Sequence, residues 1–592
     1  MNSLLEIKDP KFLKDLSIKE LEELAQEIRT YIIETVSKTG GHLASSLGTV
    51  ELVIALHYIF DLPYDRLVFD IGHQAYTHKI LTGRAKEFAS LRKKNGISGF
   101  LSYDESKYDV FEAGHSSTSL SAVAGFLKTK ELGKDIGEVI ALIGDASLQN
   151  GLSFEALNYL GGLKNQKSII ILNDNKMSIS KNVGRLSKSF RKLRIKKSYI
   201  SFKKVIPQGL RRMFRALAYG DNVFSAFGFK YYGPIDGHDF KQLFKYLEQA
   251  KKSKESIVIH VRTIKGKGYK PAESDQVGKW HSVAPFDLKT GNALQDEKLS
   301  WSKAIANLIG EEAVKNDKIH IIAPAMIYSG GFSEFERKYP NKITDVGIAE
   351  LHAIVMASSM AKEGLIPIIP IYSTFLQRAY DGINHDLARP NLKAILLVDH
   401  AGIISNDGST HQGIFDLSLL NSLPNVTIMM PKDLSEAKAL LKIAINDVKG
   451  PVAFRFPKGS VEERLEDEEL EFGKYKIELP LTKHNVISYG ENVNLLKKEI
   501  LKQNKKIGLI NALFIKPLDY ELLRSLKNTV LYVYEEAVEV GSLNSSLHLF
   551  NSKEDLGIKI HTTGIYRFLD VGTKEELLDD ALMNIEEFIK KI

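Results

Sequence analysis

The chain has 592 residues, of which 44% are hydrophobic and 26% charged, with no cysteine and a formal net charge of +7. That length requires two to four domains of roughly 100–200 residues, each able to bury its own core. The missing cysteine excludes disulfides and thiolate metal sites, and no apolar run approaches the ~18 residues of a membrane span. The start, Met1-Asn2-Ser3-Leu4-Leu5-Glu6-Ile7-Lys8-Asp9-Pro10, lacks the basic residues and apolar stretch of a secretory signal. These features point to a cytoplasmic protein without a membrane partner.

Leu21, Leu24, Ile28, Ile32 and Val36 recur at helical spacing among Glu and Lys, which predicts a docking helix. Short apolar runs at 66–70, 138–143, 168–172 and 256–261, bounded by Gly, Asp and Asn, predict buried strands of a parallel sheet. Between Arg185 and Arg215 stand twelve Lys or Arg and no Asp or Glu, so the rest of the chain is net acidic. No binding motif or aromatic stacking pattern accompanies this stretch, so it reads as a solvated surface segment or a flap that draws an anionic substrate, and nucleic acid is not expected as a partner. Residues 271–298 lack an apolar run and read as a linker. Strands are then expected at 318–323, 366–371, 393–398, 426–430 and 451–456, with helices over 350–363 and 435–447 between them. An acidic stretch at 462–471 marks a further boundary. Beyond it, runs at 506–511, 529–534 and 557–562 complete the chain. The expected fold is α/β, with three domains of mostly parallel sheet flanked by helices, divided as 1–299, 300–461 and 462–592.

Two turns follow strand candidates directly: Gly144-Asp145-Ala146-Ser147-Leu148, and Asn173-Asp174-Asn175-Lys176-Met177, whose Asn175 lies thirty residues on from Asp145. Both therefore lie at the carboxyl edge of a parallel sheet, where such sheets bind ligands. Asp145 and Asn175 offer hard oxygens of the kind Mg2+ takes together with water and diphosphate oxygens. The pair resembles the diphosphate-binding motif of thiamine-diphosphate enzymes, in which Gly-Asp-Gly precedes Asn-Asp-Asn by a similar interval. Ala146 replaces the final glycine and fits if the local backbone is not left-handed. Glu350, at the head of an apolar helix in Asp345-Val346-Gly347-Ile348-Ala349-Glu350-Leu351-His352, is by itself a common partner for a helix dipole. The resemblance gives it a second meaning, since in this cofactor class a buried glutamate hydrogen-bonds the aminopyrimidine ring. Histidines also cluster at loop tips, in Gly41-His42, Gly72-His73, Gly114-His115-Ser116, Trp280-His281 and Thr410-His411. Gly266-Lys267-Gly268 is no dinucleotide fingerprint, because Pro271 stands where the third glycine belongs.

Longer stretches are more specific. Gly40-Gly41-His42-Leu43-Ala44-Ser45-Ser46-Leu47-Gly48, Asp70-Ile71-Gly72-His73-Gln74-Ala75-Tyr76-Thr77-His78, Tyr232-Gly233-Pro234-Ile235-Asp236-Gly237-His238-Asp239 and Tyr372-Ser373-Thr374-Phe375-Leu376-Gln377-Arg378 resemble the 1-deoxy-D-xylulose-5-phosphate synthases, a transketolase-like family. The resemblance implies a homodimer that uses thiamine diphosphate and Mg2+, decarboxylates pyruvate and joins the two-carbon unit to D-glyceraldehyde 3-phosphate, at the entry to isoprenoid synthesis. It also implies that His73, Gly114, His115, Ser116, Ala146, Ser147, Asn175, Tyr269 and Glu350 hold the cofactor and that Asp145, Asn175 and Met177 hold the metal. Glu350, His42, His281, His411 and Asp407 become catalytic candidates; Tyr372, Arg378, His400 and Arg455 fall on the substrate side. His400 departs from the family's arginine in Asp-Arg-Ala-Gly, and histidine lacks the planar bidentate fork that suits a phosphate. Arg455 is left as the expected phosphate partner. Leu351 replaces a glutamine. Two rival readings are a transketolase moving ketol units and a non-catalytic paralogue that binds cofactor, the latter motivated by Ala146, Leu351 and His400.

Overall fold

The computed structural model describes residues 3–175, 223–275, 277–294 and 298–592. Met177 and the basic stretch 185–215 lie outside the described residues. The chain divides into two compact units, residues 1–92 with 96–295, and residues 93–95 with 296–592.

In the first unit, helix α1 (Ile18–Thr39) opens on a capping box in which Ser17 and Glu20 satisfy each other's backbone amides. Its expected stripe of Leu21, Leu24, Ile28, Ile32 and Val36 is buried throughout. Helix α2 (Val50–Ile59) is mostly apolar and buried from Val50 to His57. Five strands, β1 (Arg66–Phe69), β2 (Val139–Gly144), β3 (Ile169–Asp174), β4 (Lys230–Asp236) and β5 (Ile257–Arg262), form an all-parallel sheet in the order β1-β2-β3-β5-β4. Helices α3 (Ser119–Glu131) and α4 (Gly151–Gly161) cover one face, packing on Val68, Ala141, Ile143, Ile170 and Leu172. The opposite face, with Phe69, Ile140, Leu142, Ile169 and Ile171, meets α1, α2 and α5 (Phe240–Lys252). Burial on both faces is why these strands read as unbroken apolar runs.

Two expectations need correction here. Strand β4 was not foreseen, because it is an edge strand whose burial is intermittent. The stretch 271–298 is not a free linker. Gly41 and Val283 exchange two backbone hydrogen bonds of 2.9 Å, Phe286 N donates to Ser37 O at 2.9 Å, and Trp280 and Phe286 are buried in the first core. Isolated aromatic anchors fasten the segment where no apolar run announces it.

The second unit opens with α6 (Trp301–Lys315) and contains two sheets. The larger has seven strands in the order β15-β10-β11-β9-β8-β6-β7, namely β6 (Ile319–Ala323), β7 (Ile343–Asp345), β8 (Ile366–Tyr372), β9 (Ile395–Asp399), β10 (Thr427–Met429), β11 (Val452–Arg455) and β15 (Phe514–Lys516). Helices α7 (Glu350–Lys362) and α8 (Leu434–Asn446) match the two expected there. The smaller sheet follows the order β12-β14-β13-β16-β17, built from β12 (Lys476–Leu479), β13 (His484–Ser488), β14 (Gly508–Asn511), β16 (Val530–Val538) and β17 (Lys559–Ile565). Both sheets are parallel except for one antiparallel edge each, β15 on β10 and β12 on β14. The acidic stretch 462–471 contains neither helix nor strand. Even so, the two sheets beside it share one core, in which Leu396, Val398, Ile428 and Ala453 pack with Ile487, Ile510, Leu531 and Val533. The chain is thus an α/β protein of three mostly parallel sheets. Among the described residues no helix is long and apolar enough to cross a membrane.

Candidate active site

In the first unit the carboxyl edge of the sheet gathers the expected ligands. Parallel pairing sets Gly144 beside Asn173, so the turns after β2 and β3 emerge together, and Asp145 N donates to Asn173 O at 3.1 Å. Asp145 is 4% exposed, and burial together with the neighbouring Asp174 carboxylate raises its carboxyl well above the ordinary range. Asp174 is itself held by His260 Nε2 at 2.9 Å. Two buried carboxyls side by side form a donor set that a divalent cation would relieve, with Asn175 adjacent on the half-buried turn. Among the described residues no group of three or more His, Asp or Glu is placed to hold a metal ion by itself. Ala146 has φ −72° and ψ −46°, right-handed backbone in which alanine is unstrained, so the missing glycine is no obstacle.

Asp70, at the end of β1, ties two further turns to this edge. Its carboxylate accepts from Ser117 N at 2.9 Å, Ser119 N at 3.2 Å and Ser119 Oγ at 2.7 Å, which fixes the Gly114-His115-Ser116 turn where Ser117 enters the left-handed region. Ser117 Oγ donates to Ser147 O at 2.9 Å, joining that turn to the one after β2. Directly after Asp70 the chain turns through Ile71 and Gly72, both at positive φ, to present His73.

His73, His42 and His281 come together, with ring centroids 6.2, 6.0 and 5.2 Å apart, and Phe100 packs 4.9 Å from His42. Burial and the nearby Lys265 charge lower His73 to about 3. Burial, Lys265 and the other two rings hold His281 well below its usual value. His73 and His281 are therefore neutral near pH 7. His73 Nδ1 is sealed from solvent and has no partner among the described residues, an orphaned polar atom suited to a bound group. Sequence reasoning missed Lys265. Burial lowers its ammonium to about 8 against the opposing pull of Asp275 and Asp145, and its charge bears on both the histidines and Asp145. The available signal was its place in Lys265-Gly266-Lys267-Gly268, a glycine-rich turn weighed only as a nucleotide fingerprint. Tyr269 lies next to this cluster in the chain, packed edge-on against Trp280 at 5.1 Å with its hydroxyl donating to Leu288 O at 3.3 Å.

In the second unit Glu350 begins α7 and is 5% exposed. Burial raises its carboxyl even though Arg378 Nε stands 3.8 Å from Oε2 and pulls the other way. Such a carboxyl is suited to holding a proton against a ring nitrogen. Leu351 is 43% exposed and packs on Gly382, where a Cβ would fall 2.7 Å from Leu351 Cδ1. At the ends of β8 and β9, Tyr372 stacks on His400 with centroids 4.0 Å apart, and burial raises the Tyr372 hydroxyl. His400 has φ +56°, and its Nδ1 lies 2.7 Å from Asp399 Oδ1, leaving Nε2 for another partner. Asp407 forms an ion pair with Lys458, and His411 Nδ1 is 2.8 Å from Thr410 Oγ1.

Arg455 requires a correction. It is fully buried; Nε and Nη2 bind Asp416 at 2.6 and 3.1 Å, and Nη1 meets Met430 Sδ at 3.3 Å. With its fork engaged inside the core it is not placed to meet a phosphate. The cation at the loop after β11 is Lys458, three residues on, and the visible signal was Pro457-Lys458-Gly459.

Residues 4–263 match the family described as 1-deoxy-D-xylulose-5-phosphate synthase, and residues 297–463 match the transketolase pyrimidine-binding domain. A 1-deoxy-D-xylulose-5-phosphate synthase from Macrococcus caseolyticus is 41% identical over 99% of this chain and 98% of its own. Those of Bacillus cereus and Bacillus licheniformis are 40% and 39% identical over 100% of this chain and 98% of theirs. A transketolase structure from Campylobacter jejuni aligns over 97% of this chain and 99% of its own at 18% identity, with a TM-score of 0.43. On identity sustained across the full length, the chain belongs to the 1-deoxy-D-xylulose-5-phosphate synthase family of transferases.

Proposed function

We propose that this enzyme decarboxylates pyruvate and joins the two-carbon unit to D-glyceraldehyde 3-phosphate, giving 1-deoxy-D-xylulose 5-phosphate and carbon dioxide, with thiamine diphosphate and Mg2+ as its cofactors. The observation that carries the reading is the paired turn edge, with buried Asp145 against Asp174 and Asn175 and the Asp70-anchored turn at Ser116 beside it. When bound, thiamine diphosphate supplies the nucleophilic carbon and electron sink that decarboxylation of a 2-keto acid needs. Asp145, Asn175 and Met177 would hold the metal, while Gly114, His115, Ser116, Ala146, Ser147, His73 and Tyr269 would line the cofactor. The pyrimidine end falls to Glu350, whose burial-raised carboxyl donates to a ring nitrogen.

Lys265 stays cationic at neutral pH and attracts the pyruvate carboxylate or the diphosphate. His42 and the neutral His281, their rings 6.0 Å apart, orient the substrate carbonyl and exchange protons. On the acceptor side Tyr372, Arg378, His400, Asp407 and His411 meet the aldehyde, and Lys458 replaces Arg455 as the phosphate cation. Segments 1–299, 300–461 and 462–592 then act as diphosphate, pyrimidine and C-terminal domains. The reading also has the enzyme working as a cytoplasmic homodimer, for which the exposed Leu351 and Val355 on α7 offer apolar surface.

The test is incubation with pyruvate, D-glyceraldehyde 3-phosphate, Mg2+ and thiamine diphosphate, followed by mass identification of the product. Deoxyxylulose phosphate with release of carbon dioxide is expected, and its loss in Glu350→Gln. No such product from the unaltered enzyme would sink the proposal.

A further inference from the structure

The loop that presents Asp407 and His411 is held largely from outside the sheet on which it begins. At its base Gly402 N donates to Gly413 O at 2.7 Å and Gly413 N returns a bond to Gly402 O at 3.0 Å. Both positions need glycine: a Cβ at Gly413 would lie 1.9 Å from His400 O, and Gly402, at φ +92°, would place one 2.8 Å from Glu536 Oε2. Inside the loop the amide of Gln412, 3% exposed, accepts from Ile404 N at 2.8 Å and donates to Ile404 O at 3.0 Å.

Three further bonds reach the loop backbone from the C-terminal segment. Glu536 Oε2 accepts from Ile403 N at 3.1 Å, Val538 N donates to Ile414 O at 3.1 Å, and Gly572 O accepts from Asn406 N at 2.8 Å. Glu536 is 5% exposed and is steadied by Lys574 Nζ, 3.0 Å from its other oxygen. From just beyond strands β8 and β11 come Thr374 Oγ1, which donates to Thr410 O at 3.0 Å, and Lys458, paired with Asp407. The bonds from the smaller sheet end on backbone atoms on both sides of Asp407 and His411, so displacing Glu536 or emptying Gln412 moves the side chains that face the aldehyde.

We propose that Glu536 and Gln412 are positioning residues for the acceptor, through which the C-terminal sheet sets the placement of Asp407 and His411 and hence the affinity for the phosphorylated aldehyde. This rests on the acceptor-side reading of Asp407 and His411 given above. The role is distinct from core stabilisation, because a merely structural defect lowers the active fraction, and so the apparent kcat, without moving a KM.

The experiment is steady-state kinetics of the full-length holoenzyme in D-glyceraldehyde 3-phosphate at saturating pyruvate, for Gln412→Met, Glu536→Ala, Glu536→Gln and, as reference, Asp407→Asn. Thiamine diphosphate binding is followed in parallel by fluorescence titration. Gln412→Met and Glu536→Ala are expected to raise the aldehyde KM by about tenfold or more, because small misplacements of substrate-contacting groups are costly. Their pyruvate KM and cofactor Kd should stay at the wild-type values. Glu536→Gln keeps an acceptor for Ile403 N and should recover most of the affinity. If Asp407→Asn raises the aldehyde KM while Gln412→Met and Glu536→Ala change only kcat, the positioning role is overturned. If Asp407→Asn leaves that KM unmoved, it is the acceptor reading that fails. Should Glu536→Ala not fold, Gln412→Met, confined to the loop interior, decides alone.

Discussion

His400 illustrates what one side chain decides. Stacked on Tyr372 and bonded through Nδ1 to Asp399, it offers a single ring nitrogen where the family has a guanidinium. An arginine there would add a charge-assisted contact to a phosphate, worth on the order of 1.5–3 kcal/mol. His400→Arg should therefore lower the KM for D-glyceraldehyde 3-phosphate by about tenfold or more in steady-state assays; an unchanged value would count against an acceptor role for this position. Ala146 and Leu351, the other departures, are accommodated locally, the first by right-handed backbone and the second by packing on Gly382. The placement of Asp145, Asn175 and Glu350 was legible in the sequence because each follows a strand or opens a helix. The destination of Arg455 was not. Strand alternation does not say which face of β11 meets the core, and its partner Asp416 lies 39 residues earlier in the chain.

At the scale of elements, Glu51 on α2 is a knot. It binds Arg29 of α1 at 2.7 Å, His238 Nδ1 at 3.0 Å and Lys267 at 3.0 Å, and so anchors the turn that presents Lys265. Burial pushes its carboxyl up, but the hydrogen bond from His238 and the charges of Arg29 and Lys267 prevail and hold it at about 2, against 4.5 unperturbed. The folded state therefore gains from this group above pH 4.5 and loses that gain as the pH falls from 4.5 towards 2, a difference of about 3 kcal/mol. Urea titrations across that window should show this loss in the wild type and a flatter profile in Glu51→Gln; identical slopes would rule the knot out. The interior strands of the parallel sheets, β13 apart, were readable because burial on both faces makes them continuously apolar. Edge strands β4, β7, β12 and β15 escaped, being short or half exposed, and so did β13, whose His484-Asn485 start is polar. A knot such as Glu51 with His238, 187 residues apart, leaves no local pattern at all.

At the scale of the molecule, the second unit is joined across its two sheets by a buried polar chain. Asp416 holds Arg455, whose guanidinium lies 5.6 Å from the centre of the Tyr489 ring; Tyr489 donates to Glu535 at 3.2 Å, and Glu535 accepts from Ser542 Oγ, Leu543 N and Asn544 N at the head of helix α9 (Leu543–Glu554). Breaking a buried ion pair from one side typically costs about 3–5 kcal/mol. Arg455→Met should lower the unfolding free energy by that order in denaturant titrations, since Asp416 is left charged and dry. A loss below about 1 kcal/mol would mean that the pair is not what couples the sheets. Composition and strand spacing were enough to foresee three α/β blocks, but the fusion of the last two was hidden, because it rests on a core shared between the sheets and on β15, a three-residue strand.

That strand has a practical corollary. Because β15 comes from beyond the acidic stretch yet completes the larger sheet on β10, a fragment ending near residue 462 would expose β10 as a raw amide rim with half its shared core wet. Such a truncate should precipitate or borrow a strand from a neighbour, so anyone dissecting this enzyme should keep 296–592 in one piece.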